Sequence, residues 1–350
     1  MKGKLMNKRI FLWGTVALAA WTLVAPAHAA DNELRVLVHG SFSLPKPLLA
    51  QFEAQNGLKL SIIKGGDAGE MLNKMILTRA QPVADVVFGI DNALVAKAQA
   101  ANVLEAHGLP ALAGTVAGAE KQLGALVVPV DYGYVTLNYD KAAVAKSGQA
   151  LPKTLDDLTQ PAYRNWLVVQ NPATSSPGYA FMLATIAGMG EEKAFDWWAK
   201  MRANGVKVAK GWSEAYYTEF SRNGGAYPLV VSYASSPAAE VFYSKEKITE
   251  SPTASLNFPG GVFQQVEGVA LIKGGTQREA GLKFINFMRS APVQEALQTT
   301  MWMFPAQTAT VRAEVMRHGP EPTRFETLST DTMAEKGNQW VSRWTQVVLK

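Results

Sequence analysis

The first half of the chain alternates short β-type runs with helical stretches, and this alternation limits the fold more than any other feature. Between Glu33 and Leu104 the sequence reads ELRVLVHG, PKPLLAQFEAQNG, LKLSIIKGG, DAGEMLNKMILTRA, ADVVFGID and NALVAKAQAANVL. Strands that alternate with helices are typical of a mostly parallel sheet covered by helices. Each run ends in a polar or glycine-rich loop, and open α/β sheets bind ligands at the carboxyl ends of their strands.

A second run of alternation begins after Asp140 and passes through NWLVVQNPATSSPG, GVKVAKGWSEAYY and AYPLVVSYASSPAAE. We therefore predict an α/β protein of two lobes, each a mixed sheet flanked by helices, joined by two hinge crossings. Residues 30–130 and 255–310 would form lobe 1, residues 131–254 lobe 2, and residues 311–350 a C-terminal helical segment that packs on the lobes. A cleft between lobes is a common binding site.

The N-terminus has the composition of an export signal. Residues 1–29 contain four basic residues and no acidic one, an apolar run from Ile10 to Val24, and the small-residue pattern Ala27-His28-Ala29. This pattern is typical of a secretory signal cleaved after Ala29, with Ala30 as the alternative. The apolar run is about fifteen residues long, short of the roughly twenty that a membrane span needs. We therefore expect a periplasmic protein.

Charge and cysteine content exclude several classes of function. Without residues 1–29, 30 basic residues face 29 acidic ones, so the net charge falls to +1 and nucleic-acid binding has no support. The chain has no cysteine, which rules out disulfides, thiolate metal sites, cysteine nucleophiles and a lipid-bearing cysteine anchor. The remaining histidines, His39, His107 and His318, are far apart in the sequence, and we predict no metal site.

Two segments suggest anion sites, although ordinary helix capping explains them equally well. In NPATSSPG, Thr174 and Ser175 precede Ser176-Pro177, a pattern typical of a helix start whose positive end could hold an anion. GGDAGE resembles a phosphate-binding loop but lacks the G-K-[ST] ending, so Asp67 could be only a helix cap.

Aromatic residues at predicted strand ends and loops are the strongest indication of a ligand site. The segment KGWSEAYY places Trp212, Tyr216 and Tyr217 around Glu214 with almost no aliphatic partners. Similar positions are held by Tyr132, Tyr134, Tyr233 and Trp302, and acids near the rings include Asp67, Asp91 and Asp131. Such a set suits a flat cationic ligand, and each desolvated cation–π contact is worth about 2 kcal/mol. In contrast, Trp197, Trp198, Trp340 and Trp344 lie in helical patterns and are assigned to core packing.

Seven blocks of the chain resemble the periplasmic thiamine-binding proteins of ABC importers. In order, they are ADVVFGIDNAL, VPVDYGYVTLNYD, NPATSSPGYAF, KGWSEAYY, VVSYASSP, QVEGVALIKG and MWMFPA. The resemblance covers nearly all of the chain after the signal and implies a type II periplasmic binding-protein fold. It also implies a protein that is not an enzyme and has no cofactor, with thiamine or its phosphates as ligand. An inner-membrane ABC permease with its cytoplasmic ATPase would be the partner of a monomer.

The resemblance also implies roles for individual residues. Asp67 would approach the positive charge of the ligand, and Ser175 would contact its phosphate or hydroxyethyl end. The aromatic side chains that would pack against the rings of the ligand are Trp212, Tyr233 and Trp302. Further candidates for ligand binding, after these five, are Ser41, Ala68, Asp91, Tyr132, Glu214, Tyr216 and Tyr217.

The chain departs from the family pattern at three positions. His39-Gly40 stands where such proteins can have Tyr-Asp, and Ala239 stands where a tyrosine can follow Ser-Pro-Ala. A related pyrimidine or thiazole compound is therefore an alternative ligand. Ferric iron held by phenolates of Tyr216, Tyr217 and Tyr233 is another alternative. Thiaminase I also resembles these proteins but needs a cysteine nucleophile, which this chain lacks.

Overall fold

Strands and helices alternate along the chain from Glu33 onward. The computed structural model describes residues 32–350, so the predicted export signal lies outside the described residues. The strands are β1 (Glu33–Val38), β2 (Lys59–Lys64), β3 (Val86–Asp91), β4 (Leu104–Glu105), β5 (Val128–Asp140), β6 (Leu167–Gln170), β7 (Lys207–Ala209), β8 (Leu229–Tyr233), β9 (Thr253–Leu256), β10 (Phe263–Ile272) and β11 (Phe304–Pro305).

Helices follow most of these strands. They are α1 (Lys46–Asn56), α2 (Ala68–Leu77), α3 (Val95–Ala100), α4 (Ala119–Leu123), α5 (Lys141–Ser147), α6 (Ser176–Met189), α7 (Glu191–Ala203), α8 (Trp212–Glu214), α9 (Ser236–Phe242), α10 (Arg278–Met288), α11 (Ala291–Thr300) and α12 (Thr330–Leu349). Helix α8 continues directly into a π-helical turn, Ala215–Glu219.

The strands form one mixed sheet in the order β2-β1-β3-β10-β5-β8-β6-β7. In addition, β4 pairs with β10, and β9 and β11 pair with β5. Both ends of the sheet are parallel, because β1 pairs with β2 and β3, and β6 pairs with β7 and β8. The centre is antiparallel, because β10 and β5 run in opposite directions to their neighbours. The predicted βαβ alternation therefore describes the two ends of the sheet, and not its centre.

Apolar side chains cover both faces of the first half of the sheet. Phe284 and Met288 of α10 are buried against β1 and β3, as the spacing of apolar residues in this segment predicted. Helix α6 contacts β10, β5, β6 and β8. It is buried along its length from Ser176 to Ile186, which explains why its sequence is apolar all round. Ser175 caps α6, and Pro177 occupies a first-turn position where no backbone N–H is needed.

Residues Glu33–Lys350 form one compact unit. The predicted lobe boundaries fall inside two strands, since 130/131 lies within β5 and 254/255 within β9. Helix α12 packs against α7 and α3, which belong to different predicted lobes. The lobe boundaries stay predictions.

The four helical tryptophans are core residues, as predicted. Trp197, Trp198, Trp340 and Trp344 are all buried. The rings of Trp198 and Trp344 meet edge to face, with centroids 5.4 Å apart, and this contact joins α7 to α12.

We expect Trp344→Ala to lower the free energy of unfolding by about 3 to 5 kcal/mol, because it removes a fully buried ring from the contact between α12 and α7. Leu349→Ala is the control, since Leu349 lies in the same helix and is 44% exposed. Urea denaturation measures both variants. Equal midpoints for the two would contradict this account of α12.

Candidate functional site

A cavity of about 580 Å³ lies where several strands end. His39 and Ser41 follow β1, Asp67 follows β2, Trp212 follows β7, and Tyr233 ends β8, and all five line the cavity. The carboxyl ends of parallel strands are the expected position of a ligand in an α/β sheet.

Asp67 is the most heavily hydrogen-bonded acid of the cavity. As the N-cap of α2, its Oδ1 accepts from the backbone N–H of Ala68 at 2.7 Å and of Ser176 at 3.2 Å. Its Oδ2 accepts from the Ser175 hydroxyl and the Trp212 backbone N–H, both at 2.9 Å. Burial raises the pKa of this carboxyl, while the four hydrogen bonds lower it in part. One carboxylate thus joins segments that are more than 100 residues apart in the sequence.

The start of α2 approaches the loop before α6 very closely. A side chain at Gly69 would place its Cβ 2.6 Å from the carbonyl carbon of Thr174, so only glycine fits there. The Glu70 backbone N–H donates to the Thr174 carbonyl at 3.0 Å. The predicted anion site at the start of α6 is therefore occupied by the protein's own Asp67 carboxylate.

Polar groups of β3, α6 and β10 form the floor of the cavity. Gln265 donates to Asp91 Oδ2 at 2.6 Å and to the Ser176 hydroxyl at 2.9 Å. The Ser176 hydroxyl also donates to Asp91. Asp91 is fully buried, and this burial raises its pKa from 3.8 to about 6 despite the donors around it.

Two further acids lie beside this floor. Glu267 lines the cavity, and its strand partner directly across the ladder is Asp131. Burial raises the pKa of both carboxyls well above the ordinary range, and the charge of Asp131 raises that of Glu267 further. His39 Nε2 is 3.3 Å from Glu267 Oε1, but burial, aided by Lys64, lowers the pKa of His39 to about 4, so its imidazole is neutral at pH 7.

Aromatic rings form two walls. Trp212 stacks on Tyr216 with centroids 5.0 Å apart, and its Nε1 donates to Ser232 at 2.9 Å, which fixes the indole in place. Trp302 packs edge to face against Tyr243 with centroids 5.5 Å apart. Its backbone has a φ of 61°, a left-handed conformation that is uncommon outside glycine and often marks functional sites. The Ser235 hydroxyl donates to the Trp302 carbonyl and supports this conformation.

Each of the two cations that line the cavity is paired with an acid that also lines it. Lys210 Nζ is 2.7 Å from Glu70, and Arg222 Nε is 3.0 Å from Glu240, which also accepts from the Tyr216 hydroxyl. Because both cations already have partners, the cavity keeps a surplus of negative charge.

The structure brings most of the predicted site residues to this cavity. Those that line it are Ser41, Asp67, Ala68, Trp212, Glu214, Tyr216, Tyr217, Tyr233 and Trp302. Ser175 and Asp91 are buried behind it and support lining residues. Glu214 accepts from the Lys210 backbone N–H at 2.8 Å. The binding roles of these residues stay predictions.

Tyr132 lies elsewhere. It is buried within β5, where its hydroxyl meets Glu321 at 3.1 Å and Arg312 at 2.6 Å. This network joins the segment after β11 to the sheet. The sequence pattern placed Tyr132 near a strand end, whereas β5 extends over thirteen residues and carries it into the interior.

Glu267, Gln265 and Glu240 are lining residues that the sequence analysis did not select. The signal for two of them was available, because Gln265 and Glu267 are polar residues two positions apart in one strand and therefore project from the same face. Glu240 gave no comparable signal, since a glutamate in a short helix is ordinary.

Comparisons with known proteins give relatives over most of the chain. A family model of bacterial extracellular solute-binding proteins matches residues 81–336. The thiamine-binding periplasmic protein of Escherichia coli strain K12 is 31% identical over 326 residues, which is 92% of this chain and 95% of that protein. A solved structure described as a periplasmic thiamin binding protein is 29% identical, with a TM-score of 0.79 over 90% of this chain and 96% of that one.

More distant structures share the fold alone. A ferric binding protein from Campylobacter jejuni has a TM-score of 0.71 and 16% identity, over 90% of this chain and 99% of that one.

Asp91→Asn should change how stability depends on pH. A pKa raised from 3.8 to about 6 means that the folded protein holds the proton more tightly, so the native protein loses stability as pH rises through this range. Asparagine cannot ionise, and the stability of the variant relative to the native protein should therefore rise by about 3 kcal/mol between pH 3.5 and pH 7. Urea denaturation at several pH values measures it, and a constant difference would contradict the buried, weakly acidic Asp91.

Proposed function

Because this chain belongs to the family of bacterial extracellular solute-binding proteins, we propose that it captures thiamine in the cavity and delivers it to an ABC importer. It has the two-lobed type II fold of periplasmic binding proteins, as the resemblance implied. It is a solute-binding protein and not an enzyme, as its family and relatives indicate, and its function needs no cofactor.

The observation that carries the proposal is the combination of stacked rings with a surplus of carboxylates. Five acids line the cavity, namely Asp67, Glu70, Glu214, Glu240 and Glu267. The two lining cations, Lys210 and Arg222, are already paired, and His39 is neutral at pH 7. Thiamine fits this environment, because it has two flat aromatic rings and a permanent positive charge on its thiazolium ring. Rings of the protein can stack on the former while carboxylates balance the latter.

Binding would be coupled to movement of the lobes. Asp67 belongs to predicted lobe 1, whereas its partners Ser175 and Trp212 belong to predicted lobe 2. A ligand that touches both lobes has greater affinity for the conformation in which these bonds are formed, and it therefore stabilises closure. The closed surface would be what an inner-membrane permease with its cytoplasmic ATPase recognises.

The proposed location is the periplasm, after cleavage of the predicted signal at Ala29, with the protein as a monomer. The relatives named above are periplasmic proteins, which supports this location. Among residues 32–350, no helix is both long and apolar enough to cross a membrane.

A ferric-iron site is less well supported by the tyrosines. The hydroxyl of Tyr216 donates to Glu240 at 2.8 Å, and burial raises the pKa of Tyr216 and Tyr233 well above the ordinary value. Both effects favour the phenol over the phenolate that ferric iron requires. A related pyrimidine or thiazole compound is the second candidate, because the departures at His39 and Ala239 both line the cavity.

Calorimetric titration of the mature protein with thiamine, thiamine monophosphate and thiamine diphosphate tests the proposal. We expect saturable submicromolar binding of thiamine and weaker binding of the diphosphate, because the added negative charge meets a cavity whose cations are already paired. Absence of binding for all three would overturn the proposal and direct attention to His39, Gly40 and Ala239. Tight binding of ferric citrate with a visible absorption band would favour iron instead.

We expect Trp212→Ala to weaken thiamine binding by about thirtyfold, which corresponds to the loss of about 2 kcal/mol of ring contact. Trp212→Phe keeps a ring but loses the bond to Ser232, and it should weaken binding less. Phe325→Ala, at a partly exposed ring outside the cavity, is the control and should bind like the native protein. Unchanged affinity in Trp212→Ala, as well as in Trp302→Ala, would contradict the aromatic walls.

A further inference from the structure

Two acids occupy opposite positions on the central strands of the sheet. In the ladder between β5 and β10, Asp131 lies directly across from Glu267, and the register shifts between Glu267 and Gly268. Such a bulge changes the direction of the side chains around it. Glu267 lines the cavity while only 5% exposed, whereas Asp131 lies behind it with no exposure at all. The two carboxyl groups act on each other, since the charge of Asp131 raises the pKa of Glu267. This pair is called the carboxyl pair below.

Within the part of the chain that the structure describes, no cation that could balance the charge faces the carboxyl pair. The groups around it are Asp91 at the end of β3, Asp67 at the start of α2, Tyr233 at the end of β8 and His39 after β1. Asp67 and Asp91 add further negative charge, Tyr233 is an un-ionised phenol at neutral pH, and His39 is neutral. Among residues 32–350, no donor group hydrogen-bonds to either oxygen of Asp131.

Two buried carboxylates without a cation repel each other and lose their hydration, so one of them keeps its proton. Glu267 is the group that keeps it, because the charge of Asp131 raises the pKa of Glu267 further, and the proton then belongs to the pair as a whole.

A second, independent feature of the cavity floor also indicates a bound ligand. Gln265 is two residues before Glu267, lines the cavity and is 2% exposed. Its amide nitrogen is fully used by Asp91 and Ser176, but its Oε1 accepts no hydrogen bond from the described residues. A buried, unpartnered acceptor costs about 1 to 3 kcal/mol unless something donates to it. A ligand with a donor group and a positive charge would satisfy both Gln265 and Glu267.

We propose that Asp131 and Glu267 share one proton in the ligand-free protein and release it to solvent when a cationic ligand occupies the cavity. The ionised Glu267 then balances the ligand's positive charge. In this step the O–H bond of Glu267 breaks, its electron pair stays on the carboxylate, and water or buffer takes up the proton as the cation arrives. This inference rests on the proposed function for the identity of the ligand, but the shared proton can be tested without any ligand.

Infrared difference spectroscopy tests the proton directly. The ligand-free native protein should show the C=O stretch of a buried, protonated carboxyl that is absent from Glu267→Gln, and thiamine should remove this band from the native protein. The control is Glu279→Gln, an exposed glutamate of α10 outside the cavity, which should keep the band and its response. Absence of the band in the ligand-free protein, or a band that thiamine leaves unchanged, would overturn the proposal.

Two variants should respond in opposite ways. Glu267→Gln removes the balancing charge and should weaken thiamine binding by about tenfold or more, with little dependence on pH. Asp131→Asn removes the negative charge that favours protonated Glu267, so Glu267 should ionise at lower pH than in the native protein, and binding should stay tight to a lower pH. In the native protein affinity should rise with pH, by up to tenfold per pH unit, because binding releases a proton.

The outcomes separate this inference from the proposed function. If native protein fails to bind thiamine, the proposed function falls, while the ligand-free infrared band still decides whether the proton is shared. If thiamine binds but Glu267→Gln and Asp131→Asn both behave like the native protein, the function stands and the role of the carboxyl pair is wrong. Should Glu267→Gln fail to fold, Asp131→Asn alone decides the matter, because the pH dependence of binding should move to lower pH.

Discussion

The carboxylate of Asp67 is the interaction on which the rest of the site depends. It caps α2, and it also accepts hydrogen bonds from Ser175, Ser176 and Trp212. These bonds fix the start of α6 and the indole wall relative to β2. A buried carboxylate is stable only when donors surround it, so the three segments and the acid hold one another in place. Loss of any one partner would leave the others with unsatisfied polar groups.

This arrangement changes the meaning of the helix starts near the cavity. A helix N-terminus attracts an anion, and the sequence offers two that converge, at α2 and α6. Because Asp67 serves both, neither remains free for a phosphate group. The acidic side chains that remain, Glu267 among them, face the cavity. A site built from convergent helix starts thus becomes selective for positive charge, which is the reverse of what those starts alone would favour.

Local patterns predicted the local features and failed where distant segments meet. The spacing of Phe284 and Met288 predicted α10, and Asp67 was recognisable as a helix cap because capping involves only neighbouring residues. Its bonds to Ser175 and Trp212 span more than 100 residues, and no local pattern contains them. Tyr132 shows the opposite error, because it was predicted at the ligand site and lies elsewhere. No residue near it in the sequence indicates that its hydroxyl donates to Glu321, far along the chain.

The departure from the family pattern at His39-Gly40 leaves fewer acidic groups near the cavity floor to balance the charge of a bound cation. A buried, neutral imidazole at His39 carries no more charge at pH 7 than the tyrosine that relatives can have there, so this change alters shape and hydrogen bonding. Compared with the aspartate that the family resemblance implies at position 40, Gly40 carries no carboxylate, and its carbonyl accepts from Lys64 at 2.8 Å. With one acid fewer at this edge, balancing a bound cation falls more heavily on Asp67 and Glu267. Since the Asp67 carboxylate already accepts four hydrogen bonds, Glu267 is the group whose charge can still change.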